Sequence, residues 1–109
     1  MGPSIDLGNV LKYVDGQRDF IINLYRSFIP IKALAPENGG DGEWDRANYL
    51  LSVVKNYFDD VRVIEAPDNR VSRGSRPNIV AVIRGVDTSR TYWVIAHMDT
   101  VPEGDRSLW

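Results

Sequence analysis

The chain has 109 residues, 43% of them hydrophobic and 26% charged, which is typical of one soluble globular domain or of a piece of one. Its net charge of −2 provides no global field that would attract nucleic acid or an anionic membrane, so we expect neither as a partner. The lack of cysteine excludes a disulfide framework, and without a signal peptide or a long apolar stretch we expect a cytoplasmic protein.

The first part of the chain has apolar residues at steps of three, four and seven, which predicts one amphipathic helix of about five turns. Gly16 weakens the middle of this helix. The alternative is two helices joined near Asp15 and Gly16, a turn-prone pair, with Pro30 ending the helical region. The apolar positions are Val10, Val14, Ile21, Leu24 and Phe28.

The segment Leu34–Gly42 is a loop by composition; its two adjacent glycines could be functional, but we expect a plain connector. A second helix is predicted after it, capped near Asp41 or Gly42, with Glu43 and Asp45 favourable near its positive end. Its expected buried stripe consists of Ala47, Leu50, Leu51, Val54, Tyr57 and Phe58.

Three apolar runs predict strands at Val61–Ala66, Asn78–Arg84 and Tyr92–Met98, the last two covered on both faces. The polar connection between the first two carries three arginines, which could bind an anion but in a loop tip are more often solvated. These arginines are Arg70, Arg73 and Arg76. Two helices followed by three strands give an α/β chain, and so few covering elements leave its sheet incomplete.

His97 ends the third predicted strand and is the single histidine of the chain. Side chains alternate along a strand, so Asp99 is expected on the same side as His97, with its carboxylate beside the imidazole. Metal-binding histidines use such a partner, although a lone histidine near an apolar strand is more often a hydrogen-bonded structural residue. A zinc site needs three or four ligands, so further ligands would be carboxylates such as Glu103 or Asp105, or would lie outside the chain.

The segment His97–Pro102 (HMDTVP) resembles the H-x-D-x-V-P signature of a family of zinc metallopeptidases and deacylases. That family includes acetylornithine deacetylase, succinyl-diaminopimelate desuccinylase, aminoacylase and the glutamate carboxypeptidases. Arg76–Ala81 is similar to the strand before the motif in the family, and Glu103–Trp109 is similar to the segment after it. The preceding helix, loop with paired glycines, helix and strand are similar in order and length.

The resemblance implies that residues 1–109 are the N-terminal portion of the catalytic domain of a three-layer α/β/α zinc hydrolase with a mixed sheet. His97 would be a ligand of one of two zinc ions, and Asp99, in the catalytic site, would hold its ring. The implied reaction is hydrolysis of an N-acyl amino acid or small peptide, with metal-activated water and a glutamate as general base. The implied parent enzyme is a homodimer.

The chain ends at Trp109, before the family's bridging aspartate, Glu-Glu pair and later metal ligands, so we expect a fragment that is inactive alone and binds zinc weakly. The alternative is a stand-alone, non-catalytic module that uses an open sheet as an interaction surface. In the family, the first two strands pair antiparallel and a later strand separates the second from the strand that bears the histidine. Without that strand, we expect Asn78–Arg84 and Tyr92–Met98 to pair directly or to self-associate.

Overall fold

The computed structural model describes residues 4–108 as two compact units, which divide between Pro30 and Ile31 along the chain. The first unit contains two α-helices, α1 (Leu7–Asp15) and α2 (Arg18–Phe28). No helix in residues 4–108 is long and apolar enough to cross a membrane.

The boundary between α1 and α2 lies at Gly16 and Gln17. The Gly16 N–H bonds to the Lys12 carbonyl at 3.2 Å, and the Gln17 N–H bonds to the Val14 carbonyl at 2.9 Å, so the last turn of α1 closes tightly. Helix α2 then starts anew, with the Ile21 N–H donating to the Gln17 carbonyl at 2.9 Å. The single long helix predicted from the apolar spacing is therefore wrong, and two helices joined near Asp15 and Gly16 are confirmed. The physical reason is that glycine costs about 1 kcal/mol relative to alanine inside a helix.

The second unit combines one α-helix with a two-stranded sheet, which confirms the mixed α/β class. Its elements are helix α3 (Trp44–Val54), strands β1 (Asp60–Pro67) and β2 (Ser75–Val82), and short 3₁₀ turns at Pro36–Asn38 and Arg106–Leu108. The strands pair antiparallel, with Asp60 opposite Val82 and Pro67 opposite Ser75. The first two predicted strands and their antiparallel pairing are thus confirmed, although β2 begins and ends earlier than predicted.

Two side-chain contacts attach the start of α3 to the start of β2. The Arg76 guanidinium makes a bidentate pair with Glu43, with Nε donating to Oε2 at 3.1 Å, and Glu43 is only 4% exposed. The Trp44 indole N–H donates to the Ser75 carbonyl at 2.7 Å. Glu43 is the N-cap residue of α3, whereas the cap was expected at Asp41 or Gly42. Its carboxylate pairs with Arg76 and makes no capping hydrogen bond to the helix.

The buried stripe predicted for the second helix is present only in part. Ala47 is fully buried, but Leu50, Leu51, Val54 and Phe58 are half-buried. Tyr57 is exposed, and it lies beyond the end of α3 at Val54. Among the described residues of the second unit, the buried apolar side chains are of small or moderate size, namely Ala33, Ala35, Ala47, Val71 and Pro77.

The third predicted strand, Tyr92–Met98, is not a strand in residues 4–108, where the sheet consists of β1 and β2. Tyr92 is 92% exposed and Ile95 is 88% exposed, so this run is not covered on either face. The end of β2 is also open, since Ile83 just beyond it is 66% exposed. An apolar run becomes a strand only when neighbouring strands accept its backbone hydrogen bonds, and the expected direct pairing with Asn78–Arg84 does not form.

Candidate metal-ligand site

His97 and Asp99 lie side by side, as their spacing predicts. The Nδ1 atom of His97 is 3.2 Å from Oδ1 of Asp99 and 3.0 Å from the backbone carbonyl oxygen of the same residue. Two acceptors therefore face one ring nitrogen, which favours a proton on Nδ1 and leaves Nε2 with its lone pair. The His97 side chain is 84% exposed, so a ligand can reach it from solvent.

Immediately after this pair, the motif is attached to an earlier segment of the second unit. The Thr100 N–H donates to the Ala33 carbonyl at 2.8 Å, and an isolated parallel bridge joins Leu34 to Thr100. Ala33 is fully buried and Thr100 is half-buried, so this attachment lies in a part of the second unit that is largely shielded from water. His97 is thus an exposed side chain on a backbone segment that is attached at Thr100, three residues further along the chain.

Arg46, in the first turn of α3, also bonds to the backbone of this segment. Its Nη1 donates to the Met98 carbonyl at 3.0 Å, and its Nε donates to the Ile31 carbonyl at 3.0 Å. Nη2 donates to that Ile31 carbonyl as well. Arg46 is 6% exposed, and burial lowers the pKa of its guanidinium below the ordinary value of an arginine.

Sequence reasoning did not single out Arg46, although a signal was present. Arg46 lies four positions before Leu50 and eight before Val54, which puts its cation on the apolar face of α3. A charged residue on a buried face needs polar partners, and carbonyl oxygens of two distant segments supply them here. That pattern could have identified Arg46 as a buried arginine with polar partners, but it could not have shown which carbonyls those partners are.

The two carboxylates considered as further metal ligands are engaged elsewhere. Glu103 lies 3.5 Å from Lys32 and accepts from Arg106 at 3.0 Å, and its pKa is lowered by its own backbone N–H and then by Lys32. Asp105 accepts from the Ser107 N–H at 2.9 Å, and the hydrogen bonds from Ser107 lower its pKa. No group of three or more potential metal-binding side chains occurs within residues 4–108. The donor set therefore fits one zinc ligand and its supporting carboxylate, and it falls short of the three or four ligands of a complete site.

Each of the three arginines predicted between the first two strands has a partner within the fold, although Arg70 and Arg73 are exposed to solvent and Arg76, which lies in β2, is half-buried. Arg70 pairs with Asp68 at 2.7 Å and with Glu37 at 2.6 Å, and Arg76 pairs with Glu43. The guanidinium of Arg73 lies 3.5 Å from the centre of the Trp44 ring, in a cation–π contact. These contacts join the residues between β1 and β2, and the start of β2, to the Pro36–Asn38 turn and to the start of α3.

No family model matches the chain, and no solved structure is significantly similar to it. The chain is 34% identical over 93 residues to an uncharacterized metallohydrolase of Methanocaldococcus jannaschii. The aligned region covers 81% of this chain and 22% of that protein. It is 33% identical over 96 residues to an uncharacterized metallohydrolase of Methanococcus maripaludis, covering 84% of this chain and 23% of that protein. The chain thus spans less than a quarter of the length of these relatives. The similarity supports a relationship to metallohydrolases, without distinguishing the deacetylase, desuccinylase, aminoacylase and carboxypeptidase groups.

Proposed function

We propose that this chain is the N-terminal part of the catalytic domain of a dinuclear-zinc amidohydrolase, with His97 as a ligand of one zinc ion. The observation that carries the proposal is the Asp99 carboxylate 3.2 Å from Nδ1 of His97, which leaves Nε2 for the metal. The similarity to two proteins named metallohydrolases, each more than four times the matched length, supports it.

In this proposal His97 binds metal and Asp99 keeps the proton on Nδ1 and fixes the orientation of the ring. The zinc ions, when bound, polarise the scissile carbonyl and lower the pKa of a water molecule. The substrate would be an N-acyl amino acid or a small peptide, and the enzyme would act as a homodimer. The remaining ligands and the general base would come from parts of the protein beyond this chain.

The proposal is tested on the protein expressed from its complete reading frame. We expect two zinc ions per chain after dialysis, together with hydrolysis of at least one member of a panel of N-acetyl amino acids and dipeptides. His97→Ala should lose one zinc ion and the hydrolytic activity. Asp105→Ala is the matched control. The Asp105 carboxylate accepts a hydrogen bond from Ser107, so its removal should leave the zinc content and the hydrolytic activity unchanged.

The 109-residue chain alone should be inactive and bind zinc weakly, because one imidazole supplies too few ligands. A complete protein that binds no zinc, or a His97→Ala variant with normal zinc content and normal hydrolysis, would show that the ligand assignment is wrong.

A second candidate, a stand-alone interaction module without catalysis, is favoured by the open apolar surface. Ile83, Tyr92, Val94 and Ile95 are each at least 66% exposed, which is unusual for so many large apolar side chains close together in sequence. Extending the reading frame separates the two candidates. A glycine-rich segment with an aspartate, followed by a Glu-Glu pair, supports the hydrolase, and a stop codon after Trp109 supports the module. Light scattering of the 109-residue chain tests the self-association expected of this surface.

A further inference from the structure

We propose that Arg46 is a positioning residue, which holds the backbone of the His97–Asp99 motif in the place where His97 can bind metal. The inference rests on the proposed function for the metal, but the backbone contact that it invokes can be measured without one.

The contacts of Arg46 lie close to the backbone bond that attaches the motif. One arm of the guanidinium bonds to the Met98 carbonyl, which lies between His97 and Asp99 in the chain, and the other bonds to the Ile31 carbonyl. The backbone bond from Thr100 to Ala33 lies two residues further along each of these segments. Arg46 therefore joins the two segments at a second point, next to the histidine.

A second point of attachment matters because the bridge between Leu34 and Thr100 is isolated and gives the motif no extended ladder. One backbone hydrogen bond leaves the chain free to rotate about it, and the ring of His97 would move with the chain. A bond to the Met98 carbonyl fixes the peptide plane that follows Met98 and so sets the direction in which Asp99 faces the ring.

Arginine suits this task better than lysine. Its planar guanidinium carries several N–H groups in fixed directions, so it can bond to two carbonyls at once while remaining charged inside the fold. The 6% exposure of Arg46 shows that these bonds form away from water, where geometry is held more firmly. A lysine ammonium can reach one carbonyl but does not hold both in one plane.

The test uses Arg46→Met and Arg46→Lys in the zinc-loaded protein from the complete reading frame. Arg76→Met is the matched control, since Arg76 is also a part-buried arginine beside α3 but pairs with Glu43 and not with the motif. Three properties are measured: the rate of zinc loss to a chelator, the visible absorption of the cobalt-substituted protein, and hydrogen exchange of the Thr100 amide. Hydrolysis is measured as separate kcat and KM values.

We expect Arg46→Met to lose zinc about tenfold faster than the wild type, with a changed cobalt spectrum and a lower kcat at similar KM. Thr100 should exchange faster, Arg46→Lys should be intermediate, and Arg76→Met should match the wild type in zinc loss and spectrum. If folded Arg46→Met matches the control in zinc loss and in Thr100 exchange, the inference is overturned.

Two further outcomes are also decisive. If Arg46→Met does not fold, Arg46→Lys decides, and wild-type zinc loss and Thr100 exchange in that variant overturn the inference. If the wild-type protein binds no zinc and hydrolyses nothing, the proposed function fails. Thr100 exchange alone then decides whether Arg46 positions the segment, with faster exchange than in Arg76→Met supporting it and equal exchange overturning it.

Discussion

Replacing Asp99 with asparagine removes the negative charge beside His97 while keeping an oxygen that can accept the Nδ1 proton. Two observations set the size of the expected effect. The carboxylate oxygen lies 3.2 Å from Nδ1, whereas the backbone carbonyl of Asp99 lies at 3.0 Å and survives the substitution. The Asp99 side chain is also 46% exposed, so water screens part of its charge. Losses on removing such a partner span about 10–100-fold, and these features place Asp99→Asn near tenfold.

The assay is zinc loss to a chelator and kcat/KM in the protein from the complete reading frame. Asp99→Asn should lose zinc about tenfold faster and hydrolyse substrate about tenfold less efficiently, which corresponds to roughly 1.4 kcal/mol. Asp105→Asn is the control, because it removes an exposed carboxylate six positions away that bonds to Ser107. If Asp99→Asn behaves like this control, the carboxylate does not support a metal ligand.

Three further predictions concern the fold around the site. Arg76→Met should lower the free energy of unfolding by about 2 kcal/mol, because Glu43 is 4% exposed and would lose its cation. Urea unfolding followed by tryptophan fluorescence measures this loss, and a change below about 0.5 kcal/mol would contradict it. Hydrogen bonds from Arg70 lower the pKa of Asp68 from 3.8 to about 2, so their contribution to stability is full above 3.8 and is lost as pH falls toward 2. Asp68→Asn should abolish that part of the acid dependence, and an unaltered curve would refute the pairing. Gly40→Ala should lower the melting temperature more than Gly39→Ala, because a Cβ at position 40 would overlap the backbone and side chain of Leu34, whereas Gly39, at φ 75°, faces open space. Equal losses would show that the loop adapts.

Local pattern predicted those parts of the fold that depend on neighbouring residues. The apolar runs at Val61–Ala66 and Asn78–Arg84 identified β1 and β2, since both pair with a neighbour that is close in sequence. The same type of run at Tyr92–Met98 did not produce a strand, because strand formation depends on a partner and residues 4–108 provide none for it. The prediction that this run is buried on both faces was wrong for the same reason, since an apolar side chain is covered only where another layer of the protein packs against it.

The site was predictable to the extent that it is local. A two-residue spacing placed the Asp99 carboxylate beside the His97 ring, and the distances confirm that proximity. The metal-binding role of the pair stays a prediction. Arg46 could not be connected to the motif from sequence, because its bond to Met98 spans 52 positions and depends on how α3 lies against the chain. Likewise, the arginines of the β1–β2 connection found acidic and aromatic partners that composition alone did not indicate.

The most direct measurement is the structure of the zinc-loaded protein from the complete reading frame, with zinc located by its anomalous X-ray scattering. We predict a zinc ion about 2.0–2.1 Å from Nε2 of His97, with Nδ1 still bonded to Asp99 and Arg46 still bonded to the Met98 carbonyl. Zinc bound at a site that does not include His97, or a His97 ring whose Nε2 is bonded to protein instead of metal, would contradict the proposed role of this motif.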